Sequence, residues 1–264
     1  MKQFGTYIFD LDGVLYRSNQ PVQGASEVVL ALINRGAGVY FVTNNSSPSR
    51  QDVTDKLNSM GFPCTIDQVV TSGSGTAQYL RQHGAEGKKV FVVGGEGMKC
   101  EMKSAGLIVV EDPTSTSVDF VVVGIDRQFT YERLKSAQQA ILNGAQFFAT
   151  NRDPTYPIEG GLVEPGGGAI VAAIEVASGK IPPTIGKPEP FLYEVVLNQP
   201  GVEKSNTLAV GDRLDTDILG GKRAGLETAL VLTGVTSRTE AANAPLEMKP
   251  DYIINTLKEL TDNF

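Results

Sequence analysis

The most informative segment of the chain is Thr6-Tyr7-Ile8-Phe9-Asp10-Leu11-Asp12-Gly13, in which an apolar run leads into two acidic residues. Its first four residues are β-branched or aromatic, which predicts a buried strand. Side chains at positions i and i+2 of an extended segment point the same way, so Asp10 and Asp12 can converge on one spot. Like charges that close cost energy unless a cation or phosphate chemistry uses them. The plainer alternative is an acidic turn with a helix cap.

Short β-rich runs alternate with amphipathic helical patterns along the rest of the chain. Such alternation is typical of βαβ units, so we expect an α/β fold with a Rossmann-like parallel sheet and helices on both faces. Besides 6–9, strands are predicted at 39–42, 68–70, 89–93, 107–110, 120–123, 146–149, 207–210 and 228–232, and the segments 251–254 and 256–261 close the chain without an assigned type. Helices are predicted at 25–35, 50–60, 75–82, 98–105, 131–143, 169–177, 191–197 and 215–224, with a turn-rich stretch at 150–168.

Composition narrows the class of protein. The chain has 264 residues, of which 41% are hydrophobic, and this is enough for one or two domains with a core. A net charge of −7 without a basic tract argues against nucleic acid as a partner. The sequence shows neither an apolar run of membrane-spanning length nor a signal peptide pattern, so we expect no membrane partner and a cytoplasmic location. Isolated cysteines at 64 and 100 and a single histidine argue against a zinc site or a Ser-His-Asp triad.

Three further polar motifs follow predicted strands or lie near them. Thr43-Asn44-Asn45-Ser46 comes after strand 39–42 and offers short donors to phosphate oxygens. Lys187, within Gly186-Lys187-Pro188-Glu189-Pro190, could neutralise a phosphoryl group beside carboxylates. Gly211-Asp212-Arg213-Leu214-Asp215-Thr216-Asp217 follows strand 207–210, and its three acids could hold a hard cation. Alone, each motif has a plainer interpretation: a polar turn, a solvated lysine, or an acidic helix N-terminus.

The placement of the four motifs predicts the domain organisation. Ligands in open α/β sheets bind at the carboxyl ends of the strands, so a common site needs the first and last thirds of the chain together. The middle third is then an inserted domain. We therefore predict a discontinuous catalytic core at residues 1–78 and 184–264, and an inserted cap at residues 79–183.

Taken in order, the motifs resemble those of the haloacid dehalogenase superfamily of phosphatases. The resemblance covers essentially the whole chain and is carried by Asp10-Leu11-Asp12-Gly13-Val14-Leu15-Tyr16, Thr43-Asn44-Asn45-Ser46, Gly186-Lys187-Pro188, and Gly211-Asp212 with Asp217. The segment between the second and third motifs resembles the class IIA cap, an α/β domain of the C2 type. Residues 149–154 and 165–168 resemble the 4-nitrophenyl, phosphoglycolate and pyridoxal phosphate phosphatases.

The resemblance implies roles for the acidic residues. Asp10 would be the nucleophile that forms an aspartyl-phosphate, and Asp12 the acid–base group. Mg²⁺ would be held by Asp10, the backbone carbonyl of Asp12, and Asp212, with Asp217 behind these ligands. Asp215 matches a variable position of the family and is not counted as a ligand.

The resemblance also implies which residues meet the substrate, a small phosphorylated metabolite. Those expected to bind phosphate are Thr43, Asn44, Asn45 and Lys187, and those of the cap substrate loop are Asn151, Asp153 and Tyr156. Pyridoxal phosphate phosphatases tend to have His where Tyr156 stands and Tyr where Ile125 aligns, so we expect modest selectivity rather than a specialist for that substrate. Members of the family often form dimers through the cap, and we carry a homodimer as an expectation.

A phosphorylated switch or binding module is the competing hypothesis. Receiver domains also combine an acceptor Asp with acidic metal ligands, Thr and Lys. The spacing and the long inserted segment fit that class poorly. Asp12 also favours turnover, because an acid–base group beside the nucleophile helps to hydrolyse the intermediate.

Overall fold

The computed structural model describes residues 1–158 and 162–261, and their contacts divide the chain into two compact units. The first unit comprises Met1–Thr43, Val53–Val70 and the chain from Lys187 onward. The second comprises Asn44–Asp52 and Thr71–Gly186. The assignment of a catalytic core and a cap, with boundaries after residues 78 and 183, stays a prediction.

The elements are numbered along the chain. The strands are β1 Thr6–Phe9, β2 Tyr16–Arg17, β3 Gln20–Pro21, β4 Gly38–Thr43, β5 Val69–Thr71, β6 Lys89–Val93, β7 Ile108–Val109, β8 Phe120–Val123, β9 Gln146–Ala149, β10 Thr155–Pro157, β11 Val163–Pro165, β12 Thr207–Gly211, β13 Glu227–Val231 and β14 Tyr252–Ile254. The α-helices are α1 Ala25–Asn34, α2 Arg50–Ser59, α3 Ser72–Gln82, α4 Glu96–Ser104, α5 Tyr131–Leu142, α6 Gly167–Ser178, α7 Phe191–Leu197, α8 Leu219–Arg223 and α9 Arg238–Ala242.

A six-stranded sheet in the order β14-β13-β12-β1-β4-β5 forms the centre of the first unit. Strand β1 pairs in parallel with both neighbours, so that Phe9 lies opposite Val210 of β12 and Phe41 of β4. All four side chains of β1 are buried, because both faces of the sheet are covered. On one face, Tyr7 and Phe9 pack in a single apolar core with residues of α1 and α2. The expected α/β fold with a parallel sheet is confirmed.

The second unit has its own parallel sheet, in the order β7-β6-β8-β9. Helices α5 and α6 pack on it, and the core includes Phe91, Val121 and Val171. The antiparallel hairpin β10–β11 precedes α6 and sets Tyr156 opposite Glu164. None of the helices within residues 1–158 and 162–261 is both long enough and apolar enough to cross a bilayer.

One predicted helix differs in kind from the structure. The segment predicted as a helix at 215–224 begins as a π-helical turn, Leu214–Ile218, and becomes α-helical only in α8. In this turn the N–H of Ile218 donates to the carbonyl of Arg213 over 3.1 Å. The Asp217 carboxylate turns back and accepts hydrogen bonds from the backbone N–H groups of Asp212 and Arg213. The wider turn therefore directs Asp217 toward the end of β12.

Candidate active site

The carboxyl ends of three adjacent strands position the first group of polar side chains. Asp10 directly follows β1, and its N–H donates to the carbonyl of Val210 over 2.9 Å, which extends the pairing with β12. Thr43 is the last residue of β4, and Asp212 follows the last residue of β12. Thr43 and Asp212 are buried, and Asp10 is largely so. Parallel pairing thus places Asp10, Thr43 and Asp212 at one edge of the sheet.

Lys187 lies buried among these acids, and its side chain is 1% exposed. Its ammonium donates to Oδ1 of Asp10 over 2.6 Å, to Oδ1 of Asp217 over 2.7 Å, and to the carbonyl of Val42 over 3.1 Å. Burial alone would lower the pKa of Lys187, but the charges of Asp10 and Asp217 raise it well above its usual value. The lysine is therefore a fixed cation whose three donors are all used.

Three carboxylates form a cluster that could hold a metal ion. Asp10, Asp212 and Asp217 each place an oxygen within 4.8 Å of the others. Burial and the charge of Asp217 raise the pKa of Asp212 to about 7, and burial also raises the pKa of Asp10. Oδ1 of Asp212 is buried, and no group among the described residues donates a hydrogen bond to it. An orphaned carboxylate oxygen beside two other carboxylates fits a hard, oxygen-seeking cation such as Mg²⁺.

Asp217 differs from Asp212 because both of its oxygens have protein partners. Oδ1 accepts from Lys187, and Oδ2 accepts from the N–H groups of Asp212 and Arg213 over 3.1 and 3.0 Å. These bonds fit a residue that orients Asp212 and Lys187 rather than one that binds a metal directly. Asp215 lies outside the cluster, exposed and bonded to Arg213.

Two glycines hold Asp212 in place. Gly13 has a left-handed φ of +85°, and a Cβ built on it would lie 2.5 Å from Oδ2 of Asp212. A Cβ on Gly234 would also clash with that carboxylate. The same Oδ2 accepts a hydrogen bond from the N–H of Val235 over 2.8 Å. Gly13 belongs to a motif predicted from the sequence, whereas no local pattern marks Gly234.

Asp12 lies in the loop between β1 and β2. The N–H of Gly13 donates to the carbonyl of Tyr16 over 2.8 Å, which closes this loop. Burial raises the pKa of Asp12 to about 6, while the charge of Lys56 acts in the opposite direction. A carboxyl that titrates near neutral pH can both give and accept a proton. Lys56, on α2, was missed from the sequence because it belongs to no motif.

The second unit brings the other predicted residues together. The Nδ2 group of Asn44 donates to Oδ1 of Asp153 over 3.3 Å, and that of Asn45 donates to the hydroxyl of Tyr156 over 3.3 Å. These four residues line a small pocket of about 30 Å³ together with Ile125, Asn151, Thr155, Gly166 and Gly167. The polar turn after β4 and the predicted cap loop thus contact each other within this unit.

Two family models match the chain. Residues 7–108 match a model described as haloacid dehalogenase-like hydrolase, and residues 184–260 match one described as HAD-hydrolase-like. The matched regions contain all four sequence motifs.

Relatives align over nearly the whole length of the chain. An acid sugar phosphatase of Staphylococcus saprophyticus is 37% identical over 260 residues, which cover 98% of each chain. The structure of a p-nitrophenyl phosphatase from Archaeoglobus fulgidus superposes with a TM-score of 0.91 at 34% identity, covering 100% of both chains. That of a glycerol phosphate phosphatase from Mycobacterium tuberculosis in complex with magnesium gives 0.90 at 37% identity, covering 98% of this chain and 76% of the other. The resemblance drawn from the motifs is confirmed: the chain belongs to the haloacid dehalogenase superfamily of hydrolases.

Proposed function

We propose that the protein is a Mg²⁺-dependent phosphatase that hydrolyses small phosphate monoesters through an aspartyl-phosphate on Asp10. One observation carries the proposal: the Asp10 carboxylate is held by the buried ammonium of Lys187, beside Asp212 with its unpartnered oxygen. Phosphatase names among relatives that align over the whole chain support the reaction class.

The metal would be held by the carboxylates of Asp10 and Asp212 and by the backbone carbonyl of Asp12. When bound, Mg²⁺ supplies positive charge that offsets the repulsion between an incoming phosphate and the carboxylates. The hard oxygen donors suit this ion, and a solved relative contains it.

The residues of the chain would divide the reaction into two steps. A carboxylate oxygen of Asp10 attacks phosphorus, the ester P–O bond breaks, and Asp12 gives its proton to the departing alcohol oxygen. A water molecule then attacks the aspartyl-phosphate while Asp12 takes back a proton, which releases inorganic phosphate and restores Asp10. Lys187 holds Asp10 and offsets its charge, and Asp217 orients Lys187 and Asp212.

Phosphate binding would fall to Thr43, Asn44, Asn45 and Lys187. Asn151, Asp153 and Tyr156 would face the alcohol part of the substrate. In this assignment residues 1–78 and 184–264 form the catalytic core, and residues 79–183 the cap. The hydrogen bonds from Asn44 to Asp153 and from Asn45 to Tyr156 support these roles, because they join predicted phosphate-binding residues to predicted substrate-loop residues.

The substrate class we propose is broad. Five of the nine residues that line the pocket at Asn44 and Asn45 have neutral polar side chains, which can hydrogen-bond the hydroxyl groups of an alcohol. The relatives are named for sugar phosphate, glycerol phosphate and nitrophenyl phosphate, three different alcohols, and this supports modest selectivity. We also propose that the protein is cytoplasmic, that it forms a homodimer through the cap, and that it has no nucleic-acid partner. The net charge of −7 supports the last point, and light scattering would test the dimer.

The test is phosphate release from 4-nitrophenyl phosphate, glycerol phosphate, phosphoglycolate and a sugar phosphate, each with Mg²⁺ and with EDTA. We expect release only with Mg²⁺, and none from Asp10→Asn, because an amide is a poor nucleophile. Asp215→Asn is the matched control, since Asp215 is exposed and lies outside the cluster. Release by Asp10→Asn would remove Asp10 from its role. A long-lived phosphorylated Asp10 without turnover would favour the switch hypothesis.

A further inference from the structure

Lys56 is a half-buried lysine that the proposed mechanism does not use. It lies on α2, and its Nζ sits 3.9 Å from the centre of the Tyr16 ring. Among residues 1–158 and 162–261, no carboxylate forms an ion pair with it. Burial lowers the pKa of Lys56, and the charge of Asp12 acts in the opposite direction.

The position of Lys56 is fixed relative to Asp12. Tyr16, whose ring contacts the ammonium, is buried. Its backbone carbonyl accepts a hydrogen bond from the N–H of Gly13, in the loop that contains Asp12. Asp12 also forms an isolated β-bridge with Tyr16, so the residue whose ring contacts Lys56 is paired with Asp12 within the first unit. A cation held on an aromatic face beside a reacting carboxyl is a candidate for binding a charged ligand.

We propose that Lys56 is a further substrate-binding residue, whose ammonium binds a carboxylate or a second phosphate on the alcohol part of the substrate. This inference rests on the proposed function. There, Asp12 protonates the oxygen of the departing alcohol, so the alcohol must lie beside Asp12 and within reach of a cation next to it. An anion bound at this point would offset the partial desolvation of the ammonium. Lys56 would thus make the enzyme prefer acidic substrates, although it accepts other small phosphate monoesters too.

The experiment compares two substrates that differ in one group, phosphoglycolate and 2-hydroxyethyl phosphate. For Lys56→Met we expect the KM for phosphoglycolate to rise by about 10- to 100-fold, with kcat largely kept, as for the loss of a hydrogen bond to a charged group. The KM for 2-hydroxyethyl phosphate should change by less than about threefold, since this substrate has no anion for Lys56 to bind. Lys56→Arg keeps the charge and should retain the preference.

Lys2→Met is the matched control. Lys2 also lies over an aromatic ring of the first unit, with its Nζ 4.8 Å from the centre of Phe4, but it belongs to no part of the proposed site. Equal changes for both substrates in Lys56→Met, or no change for either, would overturn the assignment of Lys56 while leaving the proposed function intact. If the wild-type protein released no phosphate from any substrate with Mg²⁺, the proposed function would fail, and the role of Lys56 with it.

Discussion

The ammonium of Lys187 and the carboxylate of Asp10 are joined by a hydrogen bond of 2.6 Å, although 177 positions separate them in the chain. The same ammonium binds Asp217, and Asp212 lies within the same cluster. One cation therefore lies among three acids, of which Asp212 and Asp217 are buried and Asp10 is partly buried. The three carboxylates outnumber the single ammonium, so the cluster has too little positive charge. Adding or removing a charge there should therefore change both the stability and the activity of the protein.

Removing this cation should destabilise the fold. Lys187→Met leaves buried carboxylates without their hydrogen-bond donor, and we expect the free energy of unfolding to fall by about 3–5 kcal/mol, with loss of activity. Urea unfolding monitored by circular dichroism measures the change. Lys88→Met is the control, because Lys88 pairs with Asp119 at an exposed site and should cost less than about 1 kcal/mol. Equal losses in the two variants would mean that Lys187 contributes no more than a surface pair.

The metal-free protein should lose stability as the pH rises. Burial raises the folded-state pKa of Asp212 to about 7 and that of Asp12 to about 6, above the value of 3.8 for an unperturbed aspartate. The folded state then binds more protons than the unfolded state, so this stabilisation is complete below about pH 4 and is lost as the pH rises through about 7.

Urea unfolding in EDTA at about pH 5, 6, 7 and 8 checks the sign of this dependence. We expect a falling free energy of unfolding over this range, and recovery at pH 8 when Mg²⁺ is added, because the metal binds the ionised acids. Asp212→Asn removes one of the titrating groups and should flatten the fall. Higher stability at pH 8 than at pH 5 in the EDTA-treated wild-type protein would contradict the prediction.

Gly13 should matter for Mg²⁺ rather than for folding alone. Gly13→Ala places a Cβ against Oδ2 of Asp212, so we expect weaker activation by Mg²⁺, measured from activity against metal concentration. Gly36→Ala is a matched control, since Gly36 has a φ of +81° and no atom within 4 Å of the added Cβ. Both variants should lose roughly 1–2 kcal/mol of stability through the left-handed backbone. The same Mg²⁺ dependence in both would show that Asp212 adjusts freely.

Asp12 should control the rate of turnover. Asp12→Ala removes the group proposed to give and take the proton, so we expect kcat to fall on the order of 10²–10⁴-fold. Initial rates of phosphate release measure this, with Asp215→Ala as a control at an exposed acid. A near-wild-type rate would remove Asp12 from the acid–base role.

The sequence predicted regular elements well where local pattern and packing agree. β1, β6, β8, β9 and α7 match their predicted bounds because apolar runs end at clear turns or caps. The hairpin β10–β11 was missed within the stretch predicted as turns, since its three-residue strands exist through pairing with each other. The π-helical turn before α8 was missed because it depends on hydrogen bonds made by Asp217, which no periodicity encodes.

The candidate site was predictable where motifs follow strands. Asp10 and Asp212 meet because parallel strands share one edge, while Lys187 joins them from the loop before α7 and Asp217 from the π-helical turn; the roles of all four stay predictions. Lys56 and Gly234 were missed for a different reason. Each acquires its importance from a residue distant in sequence, Lys56 from Tyr16 and Gly234 from Asp212, and a single sequence carries no signal of such contacts.

The pairing of β1 with β12 also governs how the protein can be made. β1 is synthesised well before β12, and one of its hydrogen-bonding edges stays open until β12, which follows the whole second unit in the sequence, has been made. During that interval an apolar strand with an unpaired edge is exposed to other nascent chains. The second unit, in contrast, can complete its own sheet as soon as β9 emerges. Interrupted synthesis would therefore leave a folded middle segment flanked by an aggregation-prone strand.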